Sequence, residues 1–189
     1  MPDQAAPTDH WVIGFNWLID RKAAQVLLTT VQQAIDLKAT KITLCLSSPG
    51  GVPDQAFYAY EVLVAQSSQV ELVTHNLGTV QSAAMILFLA GTKRYAVPNA
   101  TFLVHATTHN TGGSVTIDHV TYGAASIEAD DVRAMTIMAE RTGKDMKTVR
   151  QWFRGQKLRD TTFASEVNII SEVAPLQFSS STKFHQIVL

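Results

Sequence analysis

Gly78-Thr-Val-Gln-Ser82-Ala-Ala-Met-Ile-Leu-Phe-Leu-Ala-Gly91 is the stretch whose reading decides the fold. It follows a run from Val70 to Thr74 that reads as a buried strand, and it passes into an apolar run that reads as a helix to about Leu89. The small residues Ser82-Ala83-Ala84 sit at the change from one to the other. A serine there has two readings. It can cap the helix, the commoner use of serine at such a place. It can also act as a nucleophile, because unpaired backbone N–H groups at a helix start stabilise the negative charge formed when serine attacks a carbonyl. The stretch lacks Gly-x-Ser-x-Gly, since Gly78 lies four residues before Ser82 and Ala84 two after it. It is therefore not the nucleophile elbow of an α/β-hydrolase.

Upstream, Lys41 to Leu46 is nearly all apolar and reads as a strand covered on both faces. Ser47-Ser-Pro-Gly-Gly51 follows at once, and a helix is predicted from about Asp54 to Gln66. Adjacent glycines allow backbone conformations closed to other residues and can turn N–H groups toward a ligand, although a plain strand-to-helix turn has the same look. Trp11 to Asn16 is a first strand, and Ala23, Ala24, Leu27, Leu28, Val31, Ala34 and Ile35 recur at helical spacing between Asp20 and Lys38. Downstream, Thr101-Phe-Leu-Val-His105 is a strand ending in histidine. Thr107 to Ser114 is a polar loop, and Val115 to about Arg141 is one long helix with Glu128, Asp130, Asp131 and Glu140, part of it projecting as an arm. A short helix from Lys144 to Phe153, a last helix and strand from Thr161 to Val173, and a serine-rich tail from Pro175 complete the chain.

The repeated β-α units predict an α/β fold with a mostly parallel sheet. Ligands of such sheets sit beyond the carboxyl ends of strands. Ser47–Gly51, Gly78–Ser82 and His105 all fall at such ends, which argues for one site.

Composition narrows the function. The 189 residues suit one domain, with 1–10 a flexible lead, and a hydrophobic content of 46% gives a full core. Fifteen basic and 16 acidic residues, net charge −1 and no basic block give nucleic-acid binding no electrostatic support. No apolar run approaches the roughly 20 residues of a membrane span. Residues 1–10 are polar and acidic without a positive or apolar signal region, so a cytoplasmic location is expected. The single cysteine, Cys45, lies in a buried-strand pattern and reads as a packed, inert thiol. His10, His75, His109, His119 and His185 show no metal-ligand spacing, and no metal or cofactor is expected.

Ser48-Pro-Gly-Gly51, Gly78-x-x-x-Ser82, Lys93-Arg-Tyr-Ala-Val-Pro-Asn99 and Phe102-Leu-Val-His105 resemble, in order and spacing, the proteolytic subunit of the caseinolytic (Clp) protease family. Arg159-Asp160-x-x-Phe163, Ala164-Ser-Glu166 and Ile169-Ile-x-Glu-Val173 resemble that family's terminal signature. The resemblance spans about Val12 to Val173. It implies a Clp/crotonase-like fold of stacked β-α units with a projecting helical handle over about 107–141. It implies a serine-type endopeptidase with Ser82 as nucleophile, His105 as base and Asp160 as orienting carboxylate. The backbone N–H groups of Gly51 and Ala83 would hold the oxyanion, and Gly112 and Gly113 would line the substrate groove as an edge strand. Arg159 would match an arginine at the contact between rings. The substrate would be peptide or unfolded protein. The partners would be further copies of the chain in heptameric rings, paired as a tetradecamer, and an AAA-type ATPase that makes proteolysis ATP-dependent.

Several positions depart from the family pattern. Val80-Gln81 replaces a small pair, Asn168 stands where glycine is usual, and about four extra residues lie near Trp152-Phe-Arg-Gly155. The short N-terminal segment and the region of Trp17 leave ATPase docking open. Asp145 is a rival for Asp160, and His109 is an alternative base to His105 if its loop folds back; His75, just before Gly78, falls near the site without an assigned role. A catalytically impaired structural subunit and a crotonase-type acyl-CoA enzyme are the alternatives in function. A Ser–Lys dyad would have to use Lys93, which lacks a suitable context.

Overall fold

A computed structural model of the chain describes residues 10–108 and 113–189. Strand β1 (His10–Phe15) leads to helix α1 (Arg21–Asp36). Asp20 starts that helix by accepting the Ala23 N–H at 2.7 Å, and Ala23, Ala24, Leu27, Val31 and Ala34 form its buried stripe. Strand β2 (Lys41–Ser48), helix α2 (Pro53–Gln66), strand β3 (Glu71–Gln81) and helix α3 (Ala83–Leu89) continue the alternation. Strands β4 (Lys93–Ala96) and β5 (Thr101–Leu103) precede the long helix α4 (Ile117–Thr142). Helix α5 (Met146–Gly155), strand β6 (Leu158–Arg159), helix α6 (Thr161–Glu166), strand β7 (Glu172–Val173) and strand β8 (Lys183–Gln186) follow. No helix among the described residues is long and apolar enough to cross a membrane.

The sheet runs β6-β5-β3-β2-β1-β8, with β4 also beside β3 and β7 beside β4. Every pairing is parallel except β5 with β6. The α/β class and the mostly parallel sheet are as the β-α alternation predicts. The order puts β2, β3 and β5 side by side, so the segments leaving their carboxyl ends are neighbours.

The central strand differs from expectation. It does not stop near Thr74 but runs on to Gln81, and Gly78 lies within it. The register explains why. Val73 to Asn76 pair with β4, whereas Thr79 to Gln81 pair with β5, and pairing with β2 shifts between Leu46 and Ser48. The strand bends at Leu77–Gly78 and exchanges one neighbour for another there. Buried Asn76 pins the bend, accepting the Gly78 N–H at 3.0 Å and donating to the Thr101 carbonyl at 2.9 Å. A Cβ on Gly78 would stand 2.9 Å from Ser47 Oγ, so a side chain there would require the serine hydroxyl to turn aside. β3 therefore delivers Ser82 directly, without a loop.

Two arginines fix the other end of α3. Arg141 donates from Nε to the Leu89 carbonyl at 2.8 Å and from Nη2 to the Gly91 carbonyl at 2.8 Å. Buried Arg94 donates to the carbonyls of Gly91, Asn168, Ile169 and Arg141 at 2.8–3.1 Å. These charged donors satisfy carbonyls that a helix end leaves open. Asn168 takes φ 61, the left-handed conformation that asparagine tolerates in place of glycine.

The serine-rich tail carries a strand that the sequence does not announce: Lys183–Gln186 pair in parallel with β1. The outer edge of β1 would otherwise present unpaired N–H and C=O groups. Gln186 closes over Gly14, donating to its carbonyl at 3.2 Å.

Candidate active site

Gly50 and Gly51 follow β2 with φ of 102 and 151, conformations that favour glycine. A parallel bridge to Ile19 holds them: Ile19 N–H donates to Gly50 O at 2.8 Å, and Val52 N–H to Ile19 O at 2.7 Å. The bridge uses the groups on either side of the Gly51 N–H and leaves that N–H outside it. A Cβ on Gly51 would collide with the Ile19 carbonyl.

Ser82 follows β3 with φ 54 and ψ −129, a strained conformation for a residue with a side chain. Its N–H donates to Leu103 O at 2.9 Å, which ties it to β5, and its own carbonyl accepts from Met85 N–H at 2.9 Å. Its side chain makes no cap hydrogen bond, so the simple N-cap reading fails. Ala83 N–H, the first of the helix, has no intrahelical acceptor.

His105 stands two residues beyond the end of β5. Its Nδ1 lies 2.7 Å from the carbonyl oxygen of Ala106. A carbonyl only accepts, so Nδ1 carries the hydrogen and the neutral ring keeps its lone pair on Nε2. The next N–H, that of Thr107, donates to Asp131 Oδ1 on α4 at 2.7 Å.

Gly51, Ser82, Ala83 and His105 line one cavity of about 80 Å³ with Thr107 and Thr108. Pro53, Phe57, Met85, Ile86, Ala134, Met138 and Phe153 supply an apolar wall. No glutamate lines it among the described residues, so the carboxylates a crotonase-type reaction would use are not at hand. Phe57, Met138, Phe153 and Asp131 had no signal of their own in the sequence. The first three are indistinguishable from core residues in an apolar pattern, and Asp131 belongs to an acidic run that reads as a solvated helix face.

The remaining expectations fall elsewhere. Asp160 does not line the cavity. It is exposed and starts α6 by accepting the Phe163 N–H at 2.9 Å. The antiparallel register of β6, Arg159 opposite Phe102 and Leu158 opposite Leu103, carries the chain away from His105 as it approaches Asp160. Asp145 caps α5, and its hydrogen bonds from Thr148 hold its carboxyl below the ordinary range. Gly113 is exposed, belongs to no strand, and has open space around it. Gly112 and His109 lie outside the described residues. Arg159 stacks over the Phe163 ring at 4.4 Å.

His75 is buried in the sheet away from this cavity. It donates to the Ala174 carbonyl at 3.0 Å and lies beside Tyr95, and burial lowers its pKa. Lys93 pairs with Glu71 at 2.8 Å at the start of β4, which leaves no support for a Ser–Lys dyad. Burial pushes the Cys45 thiol up to about 12, as an inert packed cysteine requires.

A family model described as Clp protease matches residues 12–175. The chain is 32% identical over 144 residues to the ATP-dependent Clp protease proteolytic subunit 3 of Nocardia farcinica, covering 75% of this chain and 64% of the relative. It is 32% identical over 145 residues to the proteolytic subunit 1 of Rhodococcus jostii, with the same 75% and 64% coverage. The match thus spans less than two thirds of the length of these curated relatives. Among solved structures, a ClpP1 mutant from Listeria monocytogenes shares the fold with a TM-score of 0.74 at 18% identity, covering 88% of this chain and 92% of that one. The family match runs from β1 to just past β7 and takes in every residue placed at the cavity, and the chain belongs to the Clp protease family.

Proposed function

We propose that the chain is a serine-type endopeptidase that cleaves peptide bonds of unfolded protein inside an oligomeric chamber. The observation that carries the reading is Ser82, held at φ 54 with its hydroxyl outside the helix cap, in one cavity with His105. His105 Nε2 takes the Ser82 hydroxyl proton as Oγ attacks the peptide carbonyl carbon. The N–H groups of Gly51 and Ala83 receive the oxyanion. The imidazolium then gives its proton to the leaving amine. Water, deprotonated by the same nitrogen, hydrolyses the acyl-enzyme and restores Ser82. None of these steps needs a metal or nucleotide in this chain. The family signature implies Asp160 as the orienting carboxylate; in this conformation that carboxylate caps α6, and the Ala106 carbonyl holds His105 Nδ1.

The assembly reading draws on α4. Val115, Ile117, Val120 and Tyr122 are exposed apolar residues in and before its first turns, a surface suited to another copy of the chain. Heptameric rings, their pairing, an AAA-type ATPase and a cytoplasmic location complete the proposal. Cleavage of a fluorescent unfolded protein by the purified assembly tests it. Turnover that is lost in Ser82→Ala, with the oligomer intact by native mass spectrometry, supports the reading. Turnover unchanged in Ser82→Ala overturns it.

A further inference from the structure

The Ala106 carbonyl and the Thr107 N–H are the two ends of one peptide group. The carbonyl accepts from His105 Nδ1 at 2.7 Å, and the N–H donates to Asp131 Oδ1 at 2.7 Å. The three groups form a continuous chain from carboxylate through peptide to imidazole. We propose that Asp131 is a positioning residue for His105, acting through the Ala106–Thr107 peptide. The proposal rests on the peptidase reading above.

A carboxylate that accepts directly from a histidine's Nδ1–H fixes the tautomer and the ring orientation. Here a peptide carbonyl does this, and Asp131 fixes the peptide. With the acceptor at Asp131 gone, the peptide can rotate about its flanking bonds and carry both of its ends out of line. His105 then loses the partner that keeps the hydrogen on Nδ1 and the lone pair on Nε2. The charge on Asp131 also polarises the peptide, and successive hydrogen bonds strengthen one another.

The surroundings suit such a tether. Residues 104–108 belong to no helix or strand, so they lack the ladder bonds that hold β5. Ala106 and Asp131 line one cavity of about 380 Å³ with Glu128, Arg150 and Arg154, yet the Asp131 carboxylate spends a 2.7 Å bond on the Thr107 N–H. Asp131 lies just before the stretch of α4 where Ala134, Met135, Ile137 and Met138 enter the core. The tether therefore starts from a well-anchored part of the helix. Asp160, engaged as the α6 cap, does not compete for Nδ1 in this conformation.

The test uses the full chain in its native assembly, with Asp131→Ala and Asp131→Asn. Asparagine keeps an oxygen that accepts from Thr107 and removes the charge. Two quantities are read: the rate of fluorophosphonate labelling of Ser82 between pH 5.5 and 8.5, and amide hydrogen exchange of residues 104–108. Asp131→Ala should lower the labelling plateau by about tenfold or more, as loss of an orienting partner of histidine does elsewhere. It should also speed exchange of the segment. Asp131→Asn should restore most of both. Thr107→Pro removes the same bond from the donor side and should reproduce the Asp131→Ala result without adding to it in the double variant.

Unchanged labelling in Asp131→Ala overturns the proposal, as does an Asn variant no faster than the Ala variant. If Ser82 of the unsubstituted protein takes no label, the peptidase reading fails. The exchange arm then still decides the tether: unchanged exchange in Asp131→Ala rejects it, and faster exchange restored by Asn supports it.

Discussion

Gly50 packs against Ser82 so closely that a Cβ placed on Gly50 would stand 2.7 Å from the Cβ of Ser82. The segment leaving β2 and the serine leaving β3 therefore fit only while one of them lacks a side chain. Gly50→Ala adds both this clash and a φ of 102 for a residue with a Cβ. The variant should lose about 1–3 kcal/mol of stability, the range for such strained backbone. Urea unfolding measures the loss, and labelling of Ser82 should fall with it. Unchanged stability and labelling would mean that the two segments do not pack this way.

Arg94 ties the end of the nucleophile's helix, through the Gly91 carbonyl, to the carbonyls of Arg141 at the end of α4 and of Asn168 and Ile169 beyond α6. Arg94→Met keeps the bulk and leaves those acceptors without their donor. Charged hydrogen bonds are worth about 1.5–3 kcal/mol each and do not add fully, so a loss of about 3 kcal/mol or more is expected. Denaturant unfolding reads it directly. A loss below about 1 kcal/mol would show that water replaces the guanidinium at the end of α3.

Stability should depend on pH through His75. Burial lowers its pKa from the ordinary 6.5, and the hydrogen bond to Ala174 only partly opposes that. The unfolded chain therefore takes up this proton at higher pH than the folded one does. The contribution of neutral His75 is complete above pH 6.5 and is lost as pH falls through its lowered value. His10, lowered by burial and by Lys41, acts in the same direction. His75→Gln keeps a donor for Ala174 and removes the titration. Urea midpoints at pH 7.5 and 5 should differ less in this variant than in the unsubstituted protein; an equal or larger difference contradicts the assignment.

Cys45 should not react with a disulfide reagent at pH 8 in the folded protein, because burial and a pKa of about 12 leave almost no thiolate. Reaction should become complete on adding denaturant. Rapid reaction of the native protein would show that β2 opens readily.

The parts of the fold legible in the sequence are those whose side chains carry a pattern. Ile42, Leu44, Leu46, Leu72 and Val73 are apolar because both sheet faces are covered, and the stripe of Ala23, Leu27, Val31 and Ala34 marks α1. Gly51, Ser82 and His105 fall together in the sequence reading because each follows such a strand. What escaped rests on backbone geometry. Gly78 reads as lying beyond the strand, yet it continues β3 because Asn76 and the change of neighbour hold the bend. Strands β6 and β8 are short and largely exposed, so no periodicity announces them. Asp160 is the opposite case. Its motif is clear, but its carboxylate is engaged by the N–H of Phe163 in its own chain segment. Asp131 was hidden because its partner is a backbone N–H, which no residue type betrays.

The most direct test of the central claim is the site at which a fluorophosphonate probe attaches to the purified assembly, read by mass spectrometry with Ser82→Ala and His105→Ala alongside. The account predicts one adduct, on Ser82, absent in Ser82→Ala and lost or greatly slowed in His105→Ala. An intact assembly that carries no adduct, or carries one on another serine, would contradict it.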